Sequence, residues 1–271
     1  MDIAIGLIGG LGLFLFGMFY MGDGLQKAAG SKMKDILAAL TKNKLMGVLL
    51  GTLVTGVIQS SSATTVMVVG FVNAGLMNLS QAVGIIMGAN IGTTVTAFLV
   101  TLNITKLATF MVGVGVAMML ASKKRKIKSM AEVIVGFGIL FIGMDLMKTA
   151  MEPLETNPGF ISLMTKFDNP LLGILVGFVM TAILQSSSAT TGLLIALAAT
   201  GIITFKQAYP VVFGQNIGTC VTALLASIGA NKTAKRAAVI HLLFNVTGTL
   251  LFMLFLKNPV TWMIYRMVPA N

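Results

Sequence analysis

The chain contains the same seven-residue polar stretch twice, and each copy lies inside strongly apolar sequence. Residues 59–65 read Gln-Ser-Ser-Ser-Ala-Thr-Thr, and residues 185–191 repeat them unchanged 126 positions later. A lipid-embedded run of amide and hydroxyl groups is costly unless it binds something. Two identical copies separated in this way indicate that the chain contains an internal repeat. In a membrane protein this pattern is typical of a transporter whose site lies between two halves.

Composition places the chain in the membrane class. Of its 271 residues, 56% are hydrophobic and only 10% are charged. The net charge of +11 comes from basic residues in short loops, which fits the positive-inside bias. We therefore predict a multi-pass integral membrane protein in a lipid bilayer, with no nucleic-acid partner. One cysteine and one histidine cannot form a disulfide or a metal cluster, and no phosphate-binding loop is present. The sequence predicts no enzyme activity and no cofactor.

An ungapped alignment of the chain with itself defines the two halves. Residues 51–99 match residues 177–225 at 21 of 49 positions. We therefore assign residues 1–122 to a first inverted repeat and residues 123–271 to a second, together forming one transmembrane transport domain.

Loop charges indicate that the two repeats have opposite orientations. The stretch 27–44 is rich in lysine, whereas its counterpart after residue 152 carries mainly acids. Near the end of each repeat the bias reverses, because Lys106 stands alone while residues 232–236 carry three basic side chains. The positive-inside rule then places loops 27–44, 123–128 and 232–236 in the cytoplasm. We expect the membrane to be the inner membrane of a prokaryotic cell.

Segment lengths predict the helical plan. The runs 3–21, 107–121, 133–147 and 237–256 are expected to span the membrane, and 27–44 and 153–169 to form interfacial helices. The 14-residue runs 45–58 and 171–184 would extend only ~21 Å against a ~30 Å hydrocarbon core. We interpret each as the first arm of a re-entrant hairpin that turns at the serines. The predicted fold is an all-α membrane protein of two inverted-topology repeats. Each repeat has about three spanning helices, one of them discontinuous, an interfacial helix and a re-entrant helical hairpin.

The three consecutive serines favour a binding site over simple packing. Membrane serines and threonines often serve as polar glue between helices, but three in a row cannot all face one helix and so indicate a turn. We expect Ser61 and Ser62 to cap the outgoing helix and direct the N–H groups of residues 63–65 at an anion. Free carbonyl groups near Gln59 would suit a small cation.

A second repeated motif, Asn-Ile-Gly-Thr, occurs at residues 90–93 and 216–219. Glycine permits unwound backbone, so this motif predicts a break in the helix that spans 82–102 and in its counterpart. The alternative is a glycine kink patched by threonine hydroxyls. We call the Gln-Ser-Ser-Ser turn of each predicted hairpin, residues 59–62 and 185–188, its tip. Small residues also recur every four positions in the helix before each tip, as at Gly47 and Gly51, and favour close helix approach. His241 is expected to be a satisfied packing residue, and Asp145 to lie near the outer end of its helix.

With these motifs the chain resembles the type II sodium–phosphate cotransporter family, in a bacterial form. The doubled Gln-Ser-Ser-Ser carries the resemblance, and the stretch from His241 to Asn245 adds to it. The resemblance implies sodium-coupled phosphate symport by alternating access, with Na⁺ as the co-transported ion. In that family both serine stretches contribute to binding phosphate and sodium.

The two repeated motifs and the resemblance together indicate specific site residues. For phosphate they are Ser60, Ser61, Ser62, Asn90, Ser186, Ser187, Ser188 and Asn216. For sodium they are Gln185, Ser186, Thr219 and Thr222, and by symmetry Gln59, Ser60, Thr93 and Thr96. Family members have a serine where this chain has Gln215, so one sodium ligand differs here.

Other functions fit the same pattern. Paired polar hairpins would also serve a sodium-coupled carrier of another anion, such as a dicarboxylate or sulfate. A different class is a non-transporting membrane subunit that senses phosphate. A homodimer and a soluble regulatory partner remain open.

Overall fold

The computed structural model describes residues 2–29, 44–102, 105–154, 157–159, 168–199, 201 and 203–267. Every regular element in these ranges is helical. The helices are α1 (Asp2–Ala29), α2 (Lys44–Ile58), α3 (Ser61–Asn73), α4 (Leu79–Thr101), α5 (Thr105–Ala121), α6 (Arg125–Met151), α7 (Pro170–Leu184), α8 (Ser187–Ala199), α9 (Phe205–Ala226), α10 (Lys232–Leu251) and α11 (Lys257–Met267). A 3₁₀ turn, Glu152–Leu154, follows α6, and a π-helical segment, Phe252–Leu256, joins α10 to α11.

The order and spacing of the helices repeat along the chain. The starts of α2 and α7 differ by 170 − 44 = 126 positions, those of α3 and α8 by 187 − 61 = 126, and those of α4 and α9 by 205 − 79 = 126. The two short helices predicted before the tips are confirmed to within one residue. The inverted orientation, the re-entrant path and the repeat boundary at 122 stay predictions.

Within the described residues, four helices are long and apolar enough to cross a membrane. Two of the predicted spans are longer than expected, because α1 and α6 extend beyond 3–21 and 133–147. The predicted span 237–256 begins at Lys232 and continues through the π segment into α11. The predicted span 107–121 corresponds to α5, which has 17 residues and is one of the shorter apolar helices. The predicted interfacial helices fall mostly outside the described residues. The four candidate spans are Ile3–Ala28, Leu79–Thr101, Arg125–Met151 and Lys232–Met267.

The predicted break in the long helix of each repeat is wrong. Helix α4 runs without interruption through residues 90–94, and α9 runs through 216–220. The glycine of each motif serves close packing instead. A Cβ on Gly92 would lie 2.6 Å from the carbonyl oxygen of Thr52 on α2, and one on Gly218 would lie 2.6 Å from that of Phe178 on α7. A side chain at either position would push the paired helices apart, so glycine is required without any unwinding.

Helices α1 and α6 form a third closely packed pair. A Cβ on Gly10 would come within 2.8 Å of the carbonyl oxygen of Gly143, and one on Gly143 within 2.6 Å of that of Gly10. Lys27 of α1 also forms an ion pair with Glu132 of α6, with 2.8 Å between Nζ and Oε2. The first helices of the two halves therefore pack against each other as a unit.

Two apolar cores hold the tip helices in place. One joins α3 to α9 and α10, with Val72, Ala223 and Ala234 among its buried members. The other joins α8 to α1 and α6 and includes Phe14 and Leu140. The outgoing helix of each tip is thus packed against elements of the other half, which brings the two tips toward one region.

Candidate binding site at the helix tips

Each tip turns at a glutamine with left-handed backbone. Gln59, between α2 and α3, has a φ of 58°, and Gln185, between α7 and α8, has a φ of 55°. In the ranges that the structure describes, they are the only residues other than glycine with positive φ. Such backbone costs ~1–3 kcal/mol outside glycine and clusters at functional sites. Its recurrence at both tips supports a functional constraint on these turns.

The first serine of each tip caps the outgoing helix. Ser60 Oγ accepts a hydrogen bond from the N–H of Ala63 at 3.1 Å, and Ser186 Oγ accepts one from Ala189 at 3.2 Å. The prediction that Ser61 and Ser62 cap the outgoing helix is therefore wrong. The chain reverses direction at the glutamine alone, so the next residue, Ser60, is already the cap. The first-turn N–H groups without an intrahelical acceptor are those of residues 61 and 62, rather than those of 63–65.

A buried pair of threonine hydroxyls ties the two arms of each tip together. Thr55 Oγ1 donates to Thr64 Oγ1 at 3.0 Å, and the hydroxyls of Thr181 and Thr190 lie 2.9 Å apart. Sequence reasoning assigned these threonines only to packing or to the motif. The sequence contains a pattern that indicates this pairing, because in both copies two threonines lie nine residues apart on either side of the turn.

Each tip also contacts the long helix of the other half. Ser62 Oγ lies 3.3 Å from Thr222 Oγ1 of α9, and Ser188 Oγ lies 3.2 Å from Thr96 Oγ1 of α4. The two contacts are equivalent, since 62 + 126 = 188 and 96 + 126 = 222. The sodium ligand set implied by the family resemblance lies within one half. In the structure, Thr222 of that set also contacts Ser62 of the opposite half.

The tip glutamines join the same network. Gln59 Oε1 accepts a hydrogen bond from Thr96 Oγ1 at 2.8 Å, and the carbonyl oxygen of Gln185 accepts one from Ser62 Oγ at 3.3 Å. The second bond links the two tips directly. The predicted site residues that hydrogen bonds bring together are thus Gln59, Ser62, Thr96, Gln185, Ser188 and Thr222.

The side chains of eight predicted residues form no hydrogen bond to this network among the described residues: those of Ser60, Ser61, Asn90, Thr93, Ser186, Ser187, Asn216 and Thr219. Thr93 and Thr219 each donate from Oγ1 to the carbonyl oxygen four residues earlier, at 3.0 Å, and Asn90 does so from Nδ2 at 3.0 Å. Asn216 is half-buried on α9. A hydroxyl that donates into its own helix keeps its lone pairs free, so the two threonines present acceptor oxygens. Of the remaining serines, Ser61 and Ser187 are buried beside the caps.

The two tips differ in exposure. Gln59 is 8% exposed, whereas Gln185 is exposed. The Nε2 of each glutamine donates to the carbonyl oxygen three residues earlier, that of Gly56 and of Ala182. In the second half Thr191 Oγ1 also donates to Gln215 Oε1 at 2.6 Å. The first half has alanine at the position equivalent to Gln215, so this bond has no counterpart there. The two tips thus have the same sequence but different surroundings.

A buried polar group lies behind the second tip. Asn245 Nδ2 donates to Cys220 Sγ at 3.2 Å and to the carbonyl oxygen of His241 at 3.1 Å. The His241 side chain is fully buried, and neither ring nitrogen has a hydrogen-bond partner among the described residues. The expectation of a packing residue holds for its position, but the expectation that its nitrogens are satisfied is wrong.

The tips offer only neutral ligands. Neither heptapeptide contains a charged residue, and no group of three or more His, Cys, Asp or Glu side chains occurs in the described part of the chain. Hydroxyl, amide and carbonyl oxygens suit a cation, while helix N-terminal N–H groups suit an anion. The arrangement can therefore hold both kinds of ion side by side.

Comparison with known proteins agrees with this chemistry. The family model for the Na+/Pi-cotransporter matches residues 13–149 and 157–267. No solved structure was found that matches the chain.

Three relatives illustrate the range of the similarity. YqeW of Bacillus subtilis is 34% identical over 90% of this chain and 79% of its own length. The protein named "Putative inorganic phosphate export protein YjbB" of Escherichia coli K12 is 30% identical over 92% of this chain, which spans only 46% of that protein. Human "Sodium-dependent phosphate transport protein 2B" is 46% identical over 30% of this chain and 12% of its own length.

The evidence for identity thus comes from the doubled polar tips, from the apolar helices around them and from a family match over most of the chain. The chain is an integral membrane protein that belongs to the Na+/Pi-cotransporter family.

Proposed function

We propose that this protein transports inorganic phosphate together with sodium and binds both where the two tips meet. The observation that carries the proposal is the pair of equivalent contacts, Ser62 with Thr222 and Thr96 with Ser188. These contacts place hydroxyl groups of both halves beside two helix N-termini and two left-handed turns. A site shared by two repeats is the arrangement that alternating access requires.

The anion would lie against the N-termini of α3 and α8. Each helix N-terminus carries about half a unit of positive charge, and uncapped first-turn N–H groups are ready donors to phosphate oxygens. Phosphate at neutral pH carries more negative charge than two such termini supply. The proposed phosphate ligands are Ser60, Ser61, Ser62, Asn90, Ser186, Ser187, Ser188 and Asn216.

Sodium would supply the missing positive charge. The hydroxyls of Thr219 and Thr222 donate to carbonyl oxygens of their own helix at 3.0 and 3.1 Å, so their lone pairs are available to a cation. With Gln185 and Ser186 they form the proposed sodium site of the second half. The equivalent set in the first half is Gln59, Ser60, Thr93 and Thr96. Because the bound cation completes the anion site, binding of the two solutes would be coupled obligatorily.

The transport domain would consist of two inverted repeats, residues 1–122 and 123–271. In this arrangement the two hairpins are re-entrant and the basic loops face the cytoplasm of the inner membrane. Contacts of α3 with α9 and of α8 with α4 would let the tips and long helices move as one body relative to the α1–α6 pair.

Uptake into proteoliposomes tests the proposal. Purified protein is reconstituted, and entry of labelled phosphate is measured under an inward gradient of sodium, potassium or choline. We expect accumulation only with sodium. Equal uptake with all three cations would contradict the coupling. Competition by sulfate, arsenate and succinate distinguishes phosphate from other anions, and phosphate binding without any accumulation would favour a sensing subunit.

A second candidate is net phosphate export, which the printed name of YjbB suggests. The same liposomes answer this question when they are loaded with labelled phosphate and the sodium gradient is reversed. Efflux that is driven by an outward sodium gradient and matches uptake in rate would indicate a reversible symporter. Efflux that is independent of sodium would instead favour an exporter.

A further inference from the structure

A charged cavity opens at one end of the helix bundle, away from the tips. It has a volume of about 790 Å³ and lies between the C-terminal ends of α4 and α8, the start of α5 and the last third of α6. Its lining includes Thr101, Lys106, Asp145, Lys148 and Ala199. The volume is ample for a small hydrated ion.

The cavity carries an excess of positive charge that no ion pair neutralises. Lys106, Asp145 and Lys148 are exposed, and among the described residues none of them forms a salt bridge, since Lys27 and Glu132 form the one ion pair found there. Two ammonium groups and one carboxylate leave a net charge of about +1. A concave site with a net charge of one sign raises the local concentration of the opposite ion, so this cavity favours an anion.

The walls of the cavity lead to the tips. Val100 lines the cavity and lies one helical turn after Thr96, which contacts Ser188. Ala196 also lines it and follows Ser188 on α8 by eight residues, or ~12 Å of helix. The two helices that meet at the tip contact thus also form the cavity wall.

The equivalent junction beside α10 is sealed. Adding 126 to Thr105 gives Asn231, and subtracting 126 from Ala199 gives Asn73. The N–H of Asn231 donates to Asn73 Oδ1 at 2.8 Å, and Asn231 Nδ2 donates to the carbonyl oxygen of Asn73 at 3.0 Å. Helix α10 packs on α3, α4 and α9, whereas its counterpart α5 packs mainly on α6 and leaves the cavity beside α4 and α8.

Two of the three charges are particular to the open junction. Lys106 has a lysine counterpart, Lys232, but the counterparts of Asp145 and Lys148 are Phe19 and Gly22. We propose that the open cavity is an access vestibule for a phosphate-type oxyanion, which Lys106 and Lys148 attract before it reaches the tips and which Asp145 repels. This inference rests on the proposed transport function and names the route to that same site.

Charge substitutions test the vestibule by the sign of their effects. Lys106→Gln and Lys148→Gln should each raise the phosphate KM for uptake about three- to tenfold and leave the maximal rate unchanged, as expected for an electrostatic effect on capture. Asp145→Asn should lower KM. All three effects should shrink at 0.5 M choline chloride, where the Debye length falls to a few ångströms. Lys123→Gln, exposed in the α5–α6 loop, is the matched control. An unchanged KM in both lysine variants would overturn the proposal.

Thiol accessibility tests the cavity independently of transport. Thr101→Cys places a thiol in its wall, and Ser227→Cys places one at the equivalent, buried position of the sealed junction. The native Cys220 is fully buried. An anionic methanethiosulfonate should modify the first variant much faster than the second, and inorganic phosphate should slow that reaction.

The two experiments separate failure of the vestibule from failure of the proposed function. Phosphate protection of Thr101→Cys that disappears in Lys106→Gln/Lys148→Gln supports the vestibule even if the protein accumulates no phosphate. Equal modification of the two cysteine variants, or protection that persists without the lysines, overturns it even if uptake is driven by sodium.

Discussion

At the scale of single residues, the tips depend on where each hydroxyl donates its hydrogen. Ser60 and Ser186 cap the outgoing helices by accepting one backbone N–H each, and the threonine pairs tie the arms together. A hydroxyl oxygen has two lone pairs, so each capping serine keeps one for a solute. The distinction separates residues of identical type. Thr219 and Thr222 donate into their own helix, and Thr222 also contacts the opposite tip.

Thr219→Val tests the sodium site. The change keeps the shape of the side chain but removes one oxygen, a loss of about 1–2 kcal/mol or roughly five- to thirtyfold in affinity. We expect the half-saturating sodium concentration for uptake to rise by that factor, while the phosphate KM at saturating sodium stays within about twofold. Thr249→Val is the control, because Thr249 is buried and donates into its own helix in the same way but lies away from the tips. A normal sodium dependence in Thr219→Val removes that residue from the ligand set.

The contact between Ser62 and Thr222 is tested by a double-mutant cycle. Ser62→Ala, Thr222→Val and their combination should be non-additive in phosphate uptake, with a coupling of about 0.5–3 kcal/mol. The equivalent cycle, Ser188→Ala with Thr96→Val, should show a coupling of the same sign because the two contacts have similar lengths. Strict additivity in both cycles would mean that the halves do not cooperate through these hydroxyls.

At the scale of helices, glycine sets how closely the paired helices approach. The Asn-Ile-Gly-Thr motifs lie in continuous helices, and their glycines face the partner helix in both halves. Close approach also sets the positions of Thr96 and Thr222, which lie one turn after these glycines. Packing between helices therefore determines the geometry of the site.

Gly218→Ala tests this role. The added Cβ would meet the carbonyl oxygen of Phe178 and the side chain of Thr181, and overpacking of this kind costs about 1–3 kcal/mol. We expect a lower unfolding temperature in detergent and weaker sodium-dependent uptake. Gly248→Ala on α10 is the control, because no atom lies within 4 Å of its Cβ position. That variant should be neutral or slightly stabilising, since alanine favours helix. Equal stability of the two variants would contradict the packing role.

At the scale of the whole molecule, the two equivalent junctions of the bundle differ. The two repeats are similar in sequence, but the junction beside α5 is open and the equivalent junction beside α10 is sealed. In a transporter built from two repeats, exchange of these two states would expose the site to each side in turn. Asn73 and Asn231 form the polar part of the seal.

Asn73→Ala should shift the balance between the two junctions. The variant introduces the residue that the second half has at the equivalent position, Ala199, and removes the side-chain acceptor of one hydrogen bond, worth about 0.5–1.5 kcal/mol. We expect modification of Ser227→Cys to accelerate several-fold and modification of Thr101→Cys to slow. If both positions became more reactive, the variant would have loosened the fold without exchanging the two states.

The sequence alone determined the class of the protein and the places where its chain turns. Apolar composition predicted the membrane, and the repeated heptapeptide predicted both tips and the helices before them to within one residue. These features are local, because helix bounds and buried polar residues can be read from neighbours along the chain. Only the tertiary structure decided the rest. A glycine that permits unwinding is identical in sequence to one that permits close packing, and the partner helix distinguishes them at Gly92 and Gly218. Likewise, the pairing of Ser62 with Thr222 and the seal at Asn231 depend on contacts between residues 160 and 158 positions apart, which the packing of the two halves creates.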